Sequence, residues 1–206
     1  MNHTPLRSLH RWSAFALALF LAAHLANHFA GLFSITAHQS IMAALRTVYR
    51  QLVVEFFLLA MFTFQAFTGL IMAWRGYKNR RGFVAHFQAY TGIYLALFLV
   101  IHVGAVLSGR SNGLDTDFRF AAAGLHVEPY QWFFIPYYFL ALFCLFSHVG
   151  CAVYWNTQNP GFRARHAILA AFAFCGIVAG GTVVSAMAGF FYPVEIPSEY
   201  RASFGH

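Results

Sequence analysis

Four histidines sit inside otherwise apolar stretches of this chain: His24 and His28 in the first, His102 in the third and His148 in the fourth. Polar side chains at membrane depth are costly, and they face a bundle interior, a partner or a cofactor. Counted at about 1.5 Å per helical residue from the basic ends of the stretches, His24 lies about 18 Å in, His28 about 24 Å and His102 about 28 Å. The same rise puts Gln65 of the second stretch about 14 Å in and His148 about 10 Å. These residues therefore fall on two levels. Two imidazoles from different helices at one depth can hold both axial positions of a b-type haem, with the porphyrin in an apolar slot. His24 or His28 with His102 meets that requirement. The same rings can instead hydrogen-bond across helices. His24 and His28 share a helix face with Asn27 nearby, which also suits a copper or zinc site, although no thiolate or carboxylate lies at that depth. Glu55 can carry protons for a quinol, or interact with the helix N-terminus or with Arg46 or Arg50.

The elements that must position these residues follow from composition. The chain has 206 residues, 60% of them hydrophobic and 9% charged, and its mean hydropathy is +0.60. Soluble domains carry far more charge than this, so the expected solvent is a bilayer. A spanning helix takes roughly 20 apolar residues, and the sequence offers five such stretches: Trp12 to Phe33, Leu52 to Trp74, Phe83 to Leu107, Tyr130 to Trp155 and His166 to Phe191. None shows strand alternation. The expectation is a single all-α domain, an integral membrane five-helix bundle. Its first span carries His24, Asn27 and His28 with no clean cleavage site after it, unlike a signal peptide. Little is left for an extramembrane domain.

Arg7, Arg11, Arg75, Lys78, Arg80, Arg81, Arg163 and Arg165 lie at one side of this arrangement, against Arg46, Arg50, Arg110, Arg119 and Arg201 at the other. The positive-inside rule then places the N-terminus in the cytoplasm and the C-terminus outside. The net charge of +7 is spread over loop ends rather than gathered in an aromatic-studded basic run, which excludes a nucleic-acid surface. Trp12, Trp74, Tyr130, Trp132, Tyr154 and Trp155 sit where interfacial anchors belong. Cys144, Cys151 and Cys175 lack zinc or disulfide spacing and read as thiols in apolar surroundings. Gly176, Gly180 and Gly181 fit the fifth span for close packing.

The segments that carry the most information read FALALFLAAH ending at His24, AMFTFQAFTGL around Gln65, QAYTGIYLALFLVIH ending at His102, and LALFCLFSHVG around His148. In the third, Gln88, Thr91 and Gly92 precede His102. The set resembles the membrane-anchor cytochrome b subunit of succinate dehydrogenases and fumarate reductases, in its single-chain, five-helix, two-haem form. The resemblance covers residues from about 10 to 190, across all the spans. It implies that His24 and His102 ligate the outer haem and that His148 is one ligand of the inner haem. Gln65 stands where the second inner histidine belongs, and an amide is a weak haem ligand, so one haem b is expected. His28 lies outside the family pattern; it can replace His24, donate to a haem propionate or touch a quinone. Arg46 and Arg50 are propionate partners by charge alone.

The function implied is electron transfer between membrane quinone and a partner redox protein, a soluble flavoprotein or iron–sulfur protein, in a bacterial cytoplasmic membrane. No flavin fingerprint or iron–sulfur cysteine set occurs in this chain. It is then at most the electron-transfer subunit of an oxidoreductase complex. The competing expectations are a haem-free membrane anchor or assembly protein of the same fold, and a small metal-handling membrane protein. Oligomerisation is compatible with each.

Overall fold

The computed structural model describes residues 5–157 and 161–205, and every regular element among them is helical. The elements are α1 (Pro5–Ala30), α2 (Ile35–Tyr49), α3 (Leu52–Arg75), α4 (Phe83–Ser111), α5 (Phe118–Ala122), α6 (Gln131–Asn156), α7 (Phe162–Met187) and α8 (Ser198–Ala202). Single 3₁₀ turns follow α3 and α5. Helices α1, α3, α4, α6 and α7 are long and apolar enough to cross a membrane, the architecture of an integral membrane protein. Phe15 and Leu19 of α1, Phe56 and Phe67 of α3, and Phe174 and Ile177 of α7 stand exposed on the chain's surface, an outer face compatible with lipid.

Three spans differ from those expected, the third running on past Leu107 to Ser111. The first helix is already formed at Pro5 and ends at Ala30, rather than running from Trp12 to Phe33. The apolar count began at Trp12, but a spanning helix continues into the interface where its backbone is still hydrogen-bonded, and this brings His10 into α1. The fifth runs from Phe162 to Met187 rather than from His166 to Phe191; Gly189, at φ +86°, turns the chain away where apolar composition alone would continue.

The spanning helices pack in an arc, α1 on α3, α3 on α4, α4 on α6 and α6 on α7. The tightest seam is α6 on α7. A Cβ built at Gly176 would come within 3.0 Å of Phe143 Cα, and one at Gly180 within 2.9 Å of the Phe139 carbonyl oxygen. These glycines let two backbones approach, as small residues do between membrane helices. Gly181 faces open space and takes no part.

The first and third connections are not plain loops. Ser34 caps α2, its hydroxyl accepting from the Ala37 N–H at 3.0 Å, and α2 turns His38 and Met42 inward. The third connection folds into α5 and a 3₁₀ turn whose Phe118, Ala122, Ala123 and Leu125 pack with Val183, Met187, Ile196 and Tyr200 into one core. Tyr200 Oη donates to the Asp115 carbonyl at 2.8 Å, and Tyr192 Oη donates to the Gly31 carbonyl. This capped end is the best-buried part of the molecule, where the composition suggested little beyond the spans. Pro160, in the polar stretch between the last two spans, lies outside the described residues.

Replacing Gly180 by Leu should destabilise the protein by about 1–3 kcal/mol through overpacking of the α6–α7 seam, whereas Gly181→Leu should change stability by under about 0.5 kcal/mol. Thermal unfolding of the detergent-purified variants checks this; equal effects at the two glycines would refute the assignment of the seam.

Candidate functional site

At the capped end, α1 brings His24 and His28 into contact with each other, their Nε2 atoms 3.3 Å apart. One must donate and the other accept. The His24 ring lies 6.1 Å, centroid to centroid, from the ring of His102 on α4. Phe20 stacks on His24 at 5.5 Å and Phe98 on His102 at 5.1 Å, each 14° from parallel. In both cases the phenylalanine precedes the histidine by four residues on the same helix, so helical geometry alone aligns the rings. His24 and His102 therefore meet as expected, and His28 is turned toward His24 and toward α2.

Helix α2 adds a residue that the sequence reading did not single out. His38 lies 5.6 Å from the His28 ring, is only 3% exposed, and its Nε2 is 3.1 Å from Asn27 Nδ2. If the amide N–H donates to Nε2, the proton of neutral His38 sits on Nδ1. His38 Nδ1 and Asn27 Oδ1 are both buried without a partner. A signal for His38 was present: with Met42, Leu45 and Tyr49 it repeats at helical spacing after a Ser34 cap.

Two ion pairs form among the charged residues described at this end. Arg46 Nη1 reaches Asp115 at 2.7 Å, and Arg50 Nη2 donates to Thr116 Oγ1 at 3.2 Å. Glu55 pairs with Arg110 of α4, rather than with Arg46, Arg50 or the helix N-terminus alone. Burial lowers the Arg50 pKa, and the neighbouring Arg46 and Arg110 lower it further. Of these three arginines, Arg50 is the one held by a neutral hydroxyl rather than by a carboxylate.

At the opposite, open end the structure rearranges the expected second level. Gln65 does not meet His148. Its Nε2 lies 3.1 Å from Nε2 of His10 on α1, and its Oε1 accepts from Ser13 Oγ. His10 Nδ1 is 2.9 Å from Thr68 Oγ1, whose own proton goes to the Phe64 carbonyl at 2.7 Å. His10 must then donate from Nδ1 and accept at Nε2. On the other side of the arc, His148 Nδ1 donates to the Gln88 carbonyl at 3.1 Å and lies 3.3 Å from Thr91 Oγ1. Gln88, Thr91 and Gly92, noted for preceding His102, thus serve His148.

The two arrangements come from one repeated motif. Residues 64–70 read FQAFTGL and residues 87–93 read FQAYTGI. In each, the threonine meets an imidazole Nδ1 from a neighbouring helix and the glycine leaves room for the ring. A Cβ at Gly69 would lie 3.2 Å from His10 Cε1, and one at Gly92 would lie 2.8 Å from His148 Cε1. This repeat is the signal by which His10 could have been found.

The imidazole donors at the capped end are of the type that holds a haem, and in this structure His24 Nε2 is engaged by His28. With metal–imidazole bonds of about 2.0–2.1 Å, two axial rings have centroids about 6 Å apart, as the His24 and His102 rings do. Their helices, α1 and α4, do not pack closely on each other, and both rings are only half-buried between them. A bare-metal site gains nothing comparable, since no cluster of three or more His, Cys, Asp or Glu suited to a metal ion occurs among the described residues. No family model, curated protein or solved structure matches the chain.

Burial, with a smaller contribution from His24, pushes His38 down to about 4 from 6.5; Asp117 opposes the shift and Arg46 adds to it. Because the depressed value belongs to the folded state, the unfolded chain binds the proton first as pH falls below 6.5. Stability from a neutral His38 is complete above that pH and declines toward pH 4. The apparent Tm in detergent should fall over this window, and His38→Gln should shallow the slope. Parallel slopes for variant and wild type would show that His38 is not the group responsible.

Proposed function

We propose that this chain is a membrane cytochrome b of the succinate dehydrogenase and fumarate reductase anchor type. A haem b is held between His24 and His102, and electrons pass between membrane quinone and a partner redox protein. The observation that supports this best is the 6.1 Å approach of the two rings across helices that do not otherwise pack together. Imidazoles meeting only for mutual hydrogen bonding would let their helices close up. The soluble partner, a flavoprotein or iron–sulfur protein, would supply the carboxylate-substrate chemistry, for which this chain has no motif.

The haem, when bound, supplies reversible one-electron chemistry. The chain's own residues orient and tune. Phe20 and Phe98 fix the planes of His24 and His102, and His28, bonded to His24 Nε2, can take over as ligand or donate to a propionate. Arg50 is the propionate partner by charge, with Arg46 already committed to Asp115. Glu55, paired with Arg110, is an ion-pair partner rather than a free acceptor of quinol protons. The distribution of Lys and Arg favours the open end, with the N-terminus, in the bacterial cytoplasm.

A haem-free anchor of the same fold is the second reading, favoured by the hydrogen bonds that already engage His24, His28 and His10. An absorption spectrum of detergent-purified protein, oxidised and then dithionite-reduced, separates the two. We expect a six-coordinate b-type spectrum, with the haem held at the capped end lost in His24→Ala and in His102→Ala but kept in His28→Ala. Loss in His28→Ala with survival in His24→Ala would move the ligand one helical turn. A colourless preparation from haem-sufficient cells would sink the cytochrome reading.

A further inference from the structure

Every acidic residue of the chain lies at the capped end. Glu55 pairs with Arg110 and Asp115 with Arg46. Asp117 caps α5 and accepts from Gln39 Nε2 at 3.0 Å, Glu128 precedes α6, and Glu195 and Glu199 follow α7. These six carboxylates stand against five arginines, Arg46, Arg50, Arg110, Arg119 and Arg201. The open end carries the other eight Lys and Arg side chains and no Asp or Glu.

The sequence scatters those eight over three connections, and the fold gathers most of them around the end of α3. Arg75 closes that helix, and Lys78, Arg80 and Arg81 follow in the turn to α4. The turn is folded back on itself. Arg80 Nη2 donates to the Ala73 carbonyl at 2.6 Å, and Arg81 Nη1 donates to the Lys78 and Arg80 carbonyls at 3.2 and 3.1 Å. Carbonyl partners hold these side chains in place without neutralising them. Across the α1–α3 contact, His10 lies against Thr68 and Gly69. Arg7, about 4.5 Å nearer the end at the helical rise, is then level with the last turn of α3. Arg7, Arg75, Lys78 and Arg81 are all exposed, and none forms an ion pair among the described residues. Like charges gathered in this way attract an anion.

From this we infer that the end of α3 binds an anionic phospholipid, one whose phosphodiester has no amine to balance it. The phosphate lies among Arg75, Lys78, Arg81 and Arg7, and the acyl chains lie on the outer face of α3. The inference is independent of whether haem is bound. Trp74, Tyr77 and Phe83 are interspersed with these cations and are 71% to 81% exposed. Rings so placed belong in the headgroup region, which puts the charges beside them at phosphate depth, where basic side chains attract anionic lipid. Thr63, Phe67, Leu70 and Trp74 then repeat at helical spacing on the exposed side of α3, opposite Gln65, which faces α1. This stripe is about 16 Å long, close to half of a hydrocarbon core of roughly 30 Å. Thr63, Phe64 and Phe67 line an open apolar groove along it. A lipid uses both the charges and the stripe, whereas an acidic protein docking from water uses only the charges.

Trp74 reports on the site. The full chain, with Trp74 left as its sole tryptophan by Trp12→Phe, Trp132→Phe and Trp155→Phe, is reconstituted into phosphatidylcholine bilayers. These contain either brominated phosphatidylglycerol or brominated phosphatidylcholine at the same mole fraction, and quenching of the Trp74 emission is compared. We expect the phosphatidylglycerol to associate roughly tenfold more strongly. Arg75→Gln with Lys78→Gln should bring the two quenching curves together, while Arg163→Gln leaves the preference intact. Quenching by brominated phosphatidylcholine, retained in the double variant, shows that α3 is still inserted. Equal quenching by the two lipids in the parent chain overturns the inference, as does a preference that survives Arg75→Gln with Lys78→Gln. Equal quenching together with binding of soluble polyglutamate to the reconstituted chain overturns it in favour of an acidic protein partner.

Discussion

An imidazole placed between apolar helices has two ring nitrogens to satisfy, and no water at that depth to satisfy them. Much of the interior answers that constraint. His10 is met by Thr68 and Gln65, His148 by Gln88 and Thr91, His24 by His28, and His38 by Asn27. All but the His24–His28 contact, which lies within α1, draw a residue from a second element and so tie two elements together. The arc of spanning helices closes tightly only between α6 and α7, where Gly176 and Gly180 admit Phe143 and Phe139.

The two ends of the bundle are built differently. The capped end carries the well-buried core built by α5, the end of α7 and the C-terminal segment, together with the ion pairs of Arg46 with Asp115 and Arg110 with Glu55. A rigid cap over α2 fixes the depth at which His38 and His28 stand beside His24. The open end has a smaller core of Val84, Cys151, Tyr154 and Leu169, with Arg165 hydrogen-bonded to the Tyr154 carbonyl and lying 4.1 Å over the Tyr154 ring. Rings aligned by neighbours four residues back, as Phe20 aligns His24 and Phe98 aligns His102, need no loop to hold them. Sites on regular helices are more exactly oriented than sites on loops.

The spans and the capped-end pair were legible because they depend on local quantities: apolar run length for the helices, and depth along the helix for His24 and His102. His10 was not legible by that route, because the run of apolar residues starts after it while the helix does not. Gln65 was misplaced for a related reason. Depth put it near His148, but depth fixes only one coordinate, and the helix face turned Gln65 toward α1.

What the sequence determined by itself is therefore the helical, membrane-spanning character of the chain and the presence of imidazoles at two levels. Hydrophobic length and the 1.5 Å rise set both without reference to any other element. The tertiary structure decided which histidine meets which partner. The helix that Thr68 and Gly69 face, like the one that Thr91 and Gly92 face, depends on how α1, α3, α4 and α6 are arranged and rotated about their axes, and that follows from packing of the whole bundle. The two copies of the glutamine–threonine–glycine motif were written in the sequence throughout; only the arrangement of helices around them showed that each holds a ring.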